Sequence, residues 1–304
     1  MPIAVRPQFD WRLRTRSLAL GPRTLIMGIL NATPDSFSDG GQFLDPRAAL
    51  THALQMLDDG ADILDLGGES TRPNSTPVTP AEEQSRVLPI LRAILAARPD
   101  AILSIDTYHA ETARLAIESG AEIVNDVSGF LWDDAMAATC ASLNCGTILM
   151  HTRGRPQQWR TLPALAPTEV VPLVLRELSD LAQAALAAGI ARDSIVLDPG
   201  FGFGKAFDEN FPLLAHLDAL HDLGFPLLAG LSRKGFLRRT LAENSPAEPT
   251  KKSGAPHLDS EMWVSATLAA TTAAILAGAH ILRVHDVRPA RQAAAIADRI
   301  LSAR

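Results

Sequence analysis

Short apolar, β-branched runs alternate along this chain with longer Ala/Leu-rich stretches whose apolar residues recur at helical spacing. The short runs cover 24–30, 63–66, 101–105, 122–125, 147–150, 195–197, 226–229 and 280–284. Their length and flanking turn residues predict buried strands. The stretches between them predict helices over 47–59, 80–97, 110–119, 133–142, 167–188, 210–220, 262–277 and 288–302. Several of these end at a glycine just ahead of the next strand, at Gly60, Gly120, Gly189, Gly224 and Gly278, where a left-handed residue closes a helix. Repeated strand-helix units of roughly 30 to 40 residues predict an α/β fold of the (β/α)8 TIM-barrel type. An open doubly wound sheet is the alternative, but the unit count fits a barrel and no GxGxxG follows the first strand. Residues 1–23 predict a short N-terminal cap or hairpin, and 24–304 the barrel. The polar segment 243–260 (ENSPAEPTKKSGAPHLDS) reads as an insertion after the seventh strand.

Composition narrows the partners. The formal charge is −6 over 304 residues, which argues against nucleic acid or an anionic membrane as a bulk electrostatic partner. Hydrophobic residues make up 47%, enough for a sizeable core. No apolar stretch is long enough to span a bilayer, and the N-terminus lacks a signal-peptide core. Cys140 and Cys145 are not spaced as a zinc or redox pair and read as reduced buried thiols.

Catalytic groups of a barrel sit at the C-terminal ends of its strands, and here every predicted strand delivers polar groups there. In chain order they are Asn31 with an Asp-rich loop, Gly67 to Pro73, Asp106-Thr107, Asn125-Asp126, Met150-His151, Asp198 to Lys205, Ser232-Arg233-Lys234, and Arg283 with His285 and Asp286. Any single strand end is polar because it meets solvent. Solvation alone would favour Lys and Glu, whereas Asp, Asn, Arg and His lead here, with glycines among them.

Two subsites emerge. Asp106, Asn125, Asp198 and Lys234 mix acceptors and donors in a way that suits a flat heterocycle with an amino-pyrimidinone edge. Arg72, Arg283 and His285, with Asn31, form a cationic patch suited to a phosphate or diphosphate accompanied by Mg2+. Taken singly, Asp106 reads equally well as a strand-end ion pair, Arg72 as a solvated loop residue, and His285 as a satisfied strand-end histidine. His151 and Glu69 read as structural hydrogen-bonders. Gly200 to Lys205 (GFGFGK) lacks Walker spacing and is a weak phosphate-loop signal.

Seven motifs in order carry a family resemblance: NATPDSFSDGG (31–41), GGESTRP (67–73), SIDT (104–107), ND (125–126), LDPGFGFGK (197–205), SRK (232–234) and RVHDV (283–287). Together they resemble the dihydropteroate synthases, from about Thr24 to the C-terminus. The resemblance implies a cytoplasmic folate-pathway transferase, a homodimer on a (β/α)8 barrel. Such an enzyme joins 6-hydroxymethyl-7,8-dihydropterin diphosphate to 4-aminobenzoate, giving 7,8-dihydropteroate and diphosphate. It further implies that Asp106, Asn125, Met150, Asp198, Lys234 and Arg283 bind the pterin. Asn31, Arg72, Arg283 and His285 would bind the diphosphate, with Asn31 and Asp35 contacting Mg2+. Phe37, Thr71, Pro73, Phe203 and Lys234 would line the aminobenzoate pocket, the site of sulfonamides in this family. Asp106, Asp198, Lys234, Arg283 and His285 would carry the catalysis.

The chain departs from the family in places. Gly235 stands where many members have a hydroxyl residue, Tyr108-His109 replaces a small-plus-basic pair whose side chains would point out of the pocket, and the 243–260 insertion is long. Other readings are a non-catalytic pterin-binding paralogue, a pterin-dependent methyltransferase-type barrel, and a phosphate-binding barrel of sugar metabolism. The paralogue would lose members of the diphosphate or loop sets. The methyltransferase has no use for NATPDSFSDGG, SRK or RVHDV, and the Asp/Asn pocket argues against the sugar enzyme.

Overall fold

The computed structural model describes residues 6–32, 46–69, 77–244 and 260–303. An antiparallel hairpin, β1 (Phe9–Arg12) and β2 (Ser17–Leu20), precedes the barrel. The barrel strands are β3 (Leu25–Asn31), β4 (Ile63–Gly67), β5 (Leu103–Asp106), β6 (Ile123–Asp126), β7 (Gly146–Met150), β8 (Ile195–Asp198), β9 (Leu228–Ala229) and β10 (Ile281–Val284). They form one parallel sheet in the order β8-β7-β6-β5-β4-β3-β10-β9. The ring closes where Leu197 bridges Leu227 and the Leu197 amide donates to the Pro226 carbonyl at 2.9 Å. Around it lie helices α1 (Pro46–Asp58), α2 (Pro80–Ala97), α3 (Ala110–Glu118), α4 (Met136–Leu143), α5 (Pro167–Ala187), α6 (Asn210–Ala215), α7 (Gly235–Asn244), α8 (Ser260–Leu276) and α9 (Val287–Ser302).

The two-residue period of a strand sorts its side chains between barrel and helix layer. On β4, Leu64 and Leu66 join the layer beneath the helices, while Ile63 faces the barrel interior. Ile123 and Val124 divide in the same way on β6, as do Val196 and Leu197 on β8 and Ile281 and Leu282 on β10. The interior is apolar at the N-terminal end of the strands, where Leu25, Met27, Ile63, Ile123, Ile148, Val196, Leu228 and Ile281 pack together. Two residues further along the same inward parity stand Asp65, Asn125, Met150, Asp198 and Arg283. The alternation therefore places a polar layer on an apolar floor.

The hairpin plugs the bottom of that floor. Trp11, Leu13 and Leu20 belong to the interior cluster, and the fully buried Trp11 donates its indole N–H to the Ser194 carbonyl at 2.9 Å. All five anticipated helix-stop glycines are left-handed, with φ of 99° at Gly60, 111° at Gly120, 97° at Gly189, 70° at Gly224 and 96° at Gly278.

Three elements differ from expectation. The stretch 210–220 is a short α6 followed by a 3-10 segment, Leu217–Leu223, because the α6 turn is closed at His216 (φ −123°). The helix expected over 133–142 begins only at Met136, because Asp133 spends its carboxylate on the amides of Ala110 and Ala135. Helix α7 has no counterpart in the sequence reading. It starts on Gly235 and carries only a short apolar stripe, so its periodicity is weak. Most of the 243–260 insertion lies outside the described residues, and no helix of the described residues is long and apolar enough to cross a membrane.

Candidate active site

Strand register gathers the rim residues. Asn31 pairs with Gly67, Gly67 with Asp106, and Asp106 with Asn125, so four neighbouring strands present one level of the barrel. Met150 pairs with Asp198 on β7 and β8. A Cβ at Gly67 would lie 3.6 Å from Asp106 Oδ2. Glycine at that point leaves open the space between Asn31 and Asp106.

Arg283 is the hub. Its Nε donates to Asp65 Oδ2 at 2.6 Å and its Nη2 to Asp106 Oδ2 at 2.5 Å. Asn125 Nδ2 donates to the same Asp65 Oδ2 at 2.9 Å. Burial disfavours the guanidinium, but Asp65, Asp106 and Asp198 together outweigh it and hold Arg283 charged. Burial pushes the Asp106 carboxyl upward, and Arg283 opposes that rise. The sequence reading groups Arg283 with Arg72 and His285 in a phosphate patch. Within the polar layer its guanidinium also bonds two carboxylates, through Nε and Nη2.

The sequence reading also passes over Asp65, which is fully buried. A signal was present: one acid among leucines on a buried strand, Ile63-Leu64-Asp65-Leu66, needs an interior partner.

Across the barrel, Asp198 Oδ1 accepts the Gly200 amide at 2.7 Å. Burial raises the Asp198 carboxyl, while this amide and the nearby Lys234 oppose the rise. Lys234 places its ammonium 4.0 Å from the centre of the Phe203 ring. Burial lowers its pKa to about 8 against the opposing pull of Asp198. Phe203 meets Trp159 edge-to-face at 5.4 Å, which braces this aromatic wall. Asp106, Asn125, Asp198 and Lys234 thus lie on one barrel face, with Met150 buried in register beside Asp198.

The glycine-rich segment 200–205 is an internal brace. Gly200 has φ 67°, and a Cβ there would fall 2.0 Å from the His151 carbonyl. The Gly202 amide donates to Asn210 Oδ1 at 2.7 Å, and Lys205 Nζ caps the Gly200 carbonyl at 2.9 Å. The Gly200 and Gly202 amides are thus both committed inside the protein. Burial lowers Lys205 to about 7.

His285 Nδ1 meets Ser232 Oγ at 3.0 Å, tying β10 to the loop after β9. In that loop Arg233, left-handed at φ 56°, pairs with Asp286 at 2.8 Å and so fixes the turn that aims Lys234. His151 pairs with Glu177 at 2.8 Å, and the Tyr108 hydroxyl donates to Glu69 at 2.9 Å. His151 and Glu69 thus each engage a protein partner, the hydrogen-bonding role the sequence reading gives them. Asp126 likewise closes a turn through the Ser128 amide at 2.7 Å. Asp35, Phe37, Thr71, Arg72 and Pro73 lie outside the described residues.

A sequence profile described as pterin binding enzyme matches residues 27–285. The chain is 40% identical over 291 residues to the dihydropteroate synthase of Clostridium beijerinckii, covering 95% of this chain and 99% of that protein. Its fold is similar to the Xanthomonas albilineans dihydropteroate synthase solved with 4-aminobenzoic acid, with a TM-score of 0.83, 38% identity and coverage of 97% of this chain and 98% of that one. It is also similar to the Yersinia pestis dihydropteroate synthase solved with a sulfonamide drug, with a TM-score of 0.85, 36% identity and coverage of 97% and 100%.

Proposed function

The chain belongs to the family of pterin-binding enzymes, and from that premise we propose how its barrel rim divides the labour of a dihydropteroate synthase. The reaction condenses 6-hydroxymethyl-7,8-dihydropterin diphosphate with 4-aminobenzoate to 7,8-dihydropteroate and diphosphate. The observation that carries the assignment of roles is the convergence of Asp106, Asn125, Asp198 and Lys234 on one polar layer above an apolar floor.

In this reading Asp106, Asn125 and Asp198 face the amino-pyrimidinone edge of the pterin, Met150 packs against its ring, and Lys234 donates to its carbonyl side. The bond from the pterin methylene carbon to the diphosphate oxygen breaks, and the electron pair leaves on the diphosphate. The pterin spreads the resulting positive charge, and the Asp106 and Asp198 carboxylates, fixed in a water-poor site, stabilise it electrostatically. The lone pair of the aminobenzoate nitrogen then forms the new C–N bond, and the N–H proton it sheds passes to solvent. An aniline is unprotonated at neutral pH, so this attack needs no base beforehand. Phe203 and Lys234, with Phe37, Thr71 and Pro73, would wall the aminobenzoate pocket, where a sulfonamide would compete.

Arg72, Arg283 and His285, with Asn31, would face the departing diphosphate. Among the described residues no group of three or more His, Cys, Asp and Glu could hold a metal. The amide oxygen of Asn31 and the carboxylate of Asp35 fit Mg2+, a cation that takes one or two protein oxygens and fills its shell with phosphate and water. Bound there, Mg2+ would neutralise charge on the leaving diphosphate. A homodimer and a cytoplasmic setting rest on the family resemblance.

The test is diphosphate release by purified protein supplied with both substrates, with Mg2+ and then with EDTA. Release that needs both substrates and is restored by Mg2+ after chelation is expected. No release with both substrates present would reject the synthase and leave a pterin-binding paralogue.

A further inference from the structure

We propose that Asp65 is a positioning residue for pterin recognition, which it serves without touching the substrate by fixing the Asn125 amide and the Arg283 guanidinium through one oxygen. The inference rests on the reading of this site as the pterin site.

Asp65 lies mid-strand on β4, fully buried, one inward step below the rim glycine Gly67. Its Oδ2 accepts Arg283 Nε at 2.6 Å and Asn125 Nδ2 at 2.9 Å. Its Oδ1 has no hydrogen-bond partner among the described residues. Among the described residues its hydrogen bonding therefore passes through one atom to two groups on β6 and β10.

The consequence for Asn125 is directional. A primary amide that turned freely could show the pocket either its oxygen or its nitrogen. An adjacent carboxylate accepts only from Nδ2, since two oxygens facing each other in a buried site repel. Asp65 thus selects one of the two amide orientations. It uses one Nδ2 hydrogen and leaves Oδ1 and the second hydrogen for a ligand. That paired acceptor and donor matches a ring edge where a donor N–H adjoins an acceptor nitrogen, the pattern of an aminopyrimidine.

The consequence for Arg283 is electrostatic. Bonded to Asp106 alone, the guanidinium could pivot about one contact. The second carboxylate on Nε fixes its plane, so Asp106 is held at a set position on the rim. Asp65 also adds negative charge below the site, where the reaction is proposed to build a cation.

The test compares wild type with Asp65→Asn and Asp65→Ala, using pteroic acid as the calorimetric probe and steady-state kinetics with both substrates. Asn keeps the shape of the side chain and one acceptor oxygen but removes the charge that strengthens both bonds. Pteroic acid affinity should fall about tenfold or more in both variants, the scale of losing a charge-assisted hydrogen bond. The KM for the pterin diphosphate should rise by more than that for 4-aminobenzoate. In an Asn125→Ala background the Asp65→Asn change should cost less than it does alone, a non-additivity that a purely structural role would not produce. Affinity within twofold of wild type in a folded Asp65→Asn protein would overturn the proposal, as would full additivity with Asn125→Ala. Should the variants fail to fold, a crystal of the wild type with pteroic acid decides. Asp65 Oδ2 holding both Asn125 Nδ2 and Arg283 Nε with no contact to the pterin supports it, and a direct Asp65–pterin bond or a turned Asn125 overturns it. A wild type that binds pteroic acid but releases no diphosphate would reject the reaction and leave these binding outcomes to decide the role of Asp65.

Discussion

Lys234 is charged or neutral according to conditions close to physiological, and that gives the site a pH signature. Burial lowers its pKa to about 8, and the neighbouring Asp198 holds it from falling further. In the proposed mechanism the ammonium is the working form, since it donates to the pterin and lies over the Phe203 ring at 4.0 Å. Above about pH 8 each further unit leaves roughly a tenth of the remaining ammonium, so kcat/KM for the pterin diphosphate should fall about tenfold per unit. The assay is diphosphate release at low pterin concentration from about pH 6 to pH 10, in wild type, Lys234→Arg and Asp198→Asn. Lys234→Arg keeps its charge throughout and should lose the alkaline limb, though its rate will be lower because a planar fork replaces a point charge. Asp198→Asn removes the carboxylate that supports the ammonium and should move the limb to lower pH. Lys205, lowered to about 7 by burial, is the competing source of such a limb. An unchanged limb in Lys234→Arg would assign it to Lys205, and a flat wild-type profile to about pH 10 would refute the reasoning altogether.

Two other perturbations separate structure from chemistry. Trp11→Ala empties the centre of the hairpin plug and removes the bond to the Ser194 carbonyl. It should cost about 3–5 kcal/mol in urea unfolding while leaving kcat near wild type in the folded fraction; a loss below about 1 kcal/mol would mean that the hairpin is not part of the barrel core. Gly200→Ala sets a Cβ against the His151 carbonyl at a left-handed position. It should cost about 2 kcal/mol or more and weaken pteroic acid binding, because Asp198 is oriented by the Gly200 amide; unchanged stability by thermal unfolding would contradict the packing described.

Much of this protein is written locally. The strand and helix alternation, the five helix-stop glycines and the rim residues all follow from periodicity and from residue types a few positions apart, which are properties of a chain segment in isolation. Asp106, Asn125 and Asp198 were legible because each ends an apolar run, and a strand end of a barrel lies at its working face. Helix α7 was not, because a short helix opening on Gly235 has almost no apolar period of its own and is held by what it packs against.

Partnership between side chains belongs to the tertiary structure. Nothing local to Arg283 tells that it joins Asp65 and Asp106, 218 and 177 residues away. Nothing local to Asp65 tells which two donors its buried oxygen must serve. Strand register and barrel closure decide those pairings, since they set which inward positions share a level. An ion in a dry interior is stable only beside its counter-charge, so the sequence by itself determined that polar groups crown the barrel, and the closed sheet decided which of them hold each other and which are left to meet a ligand.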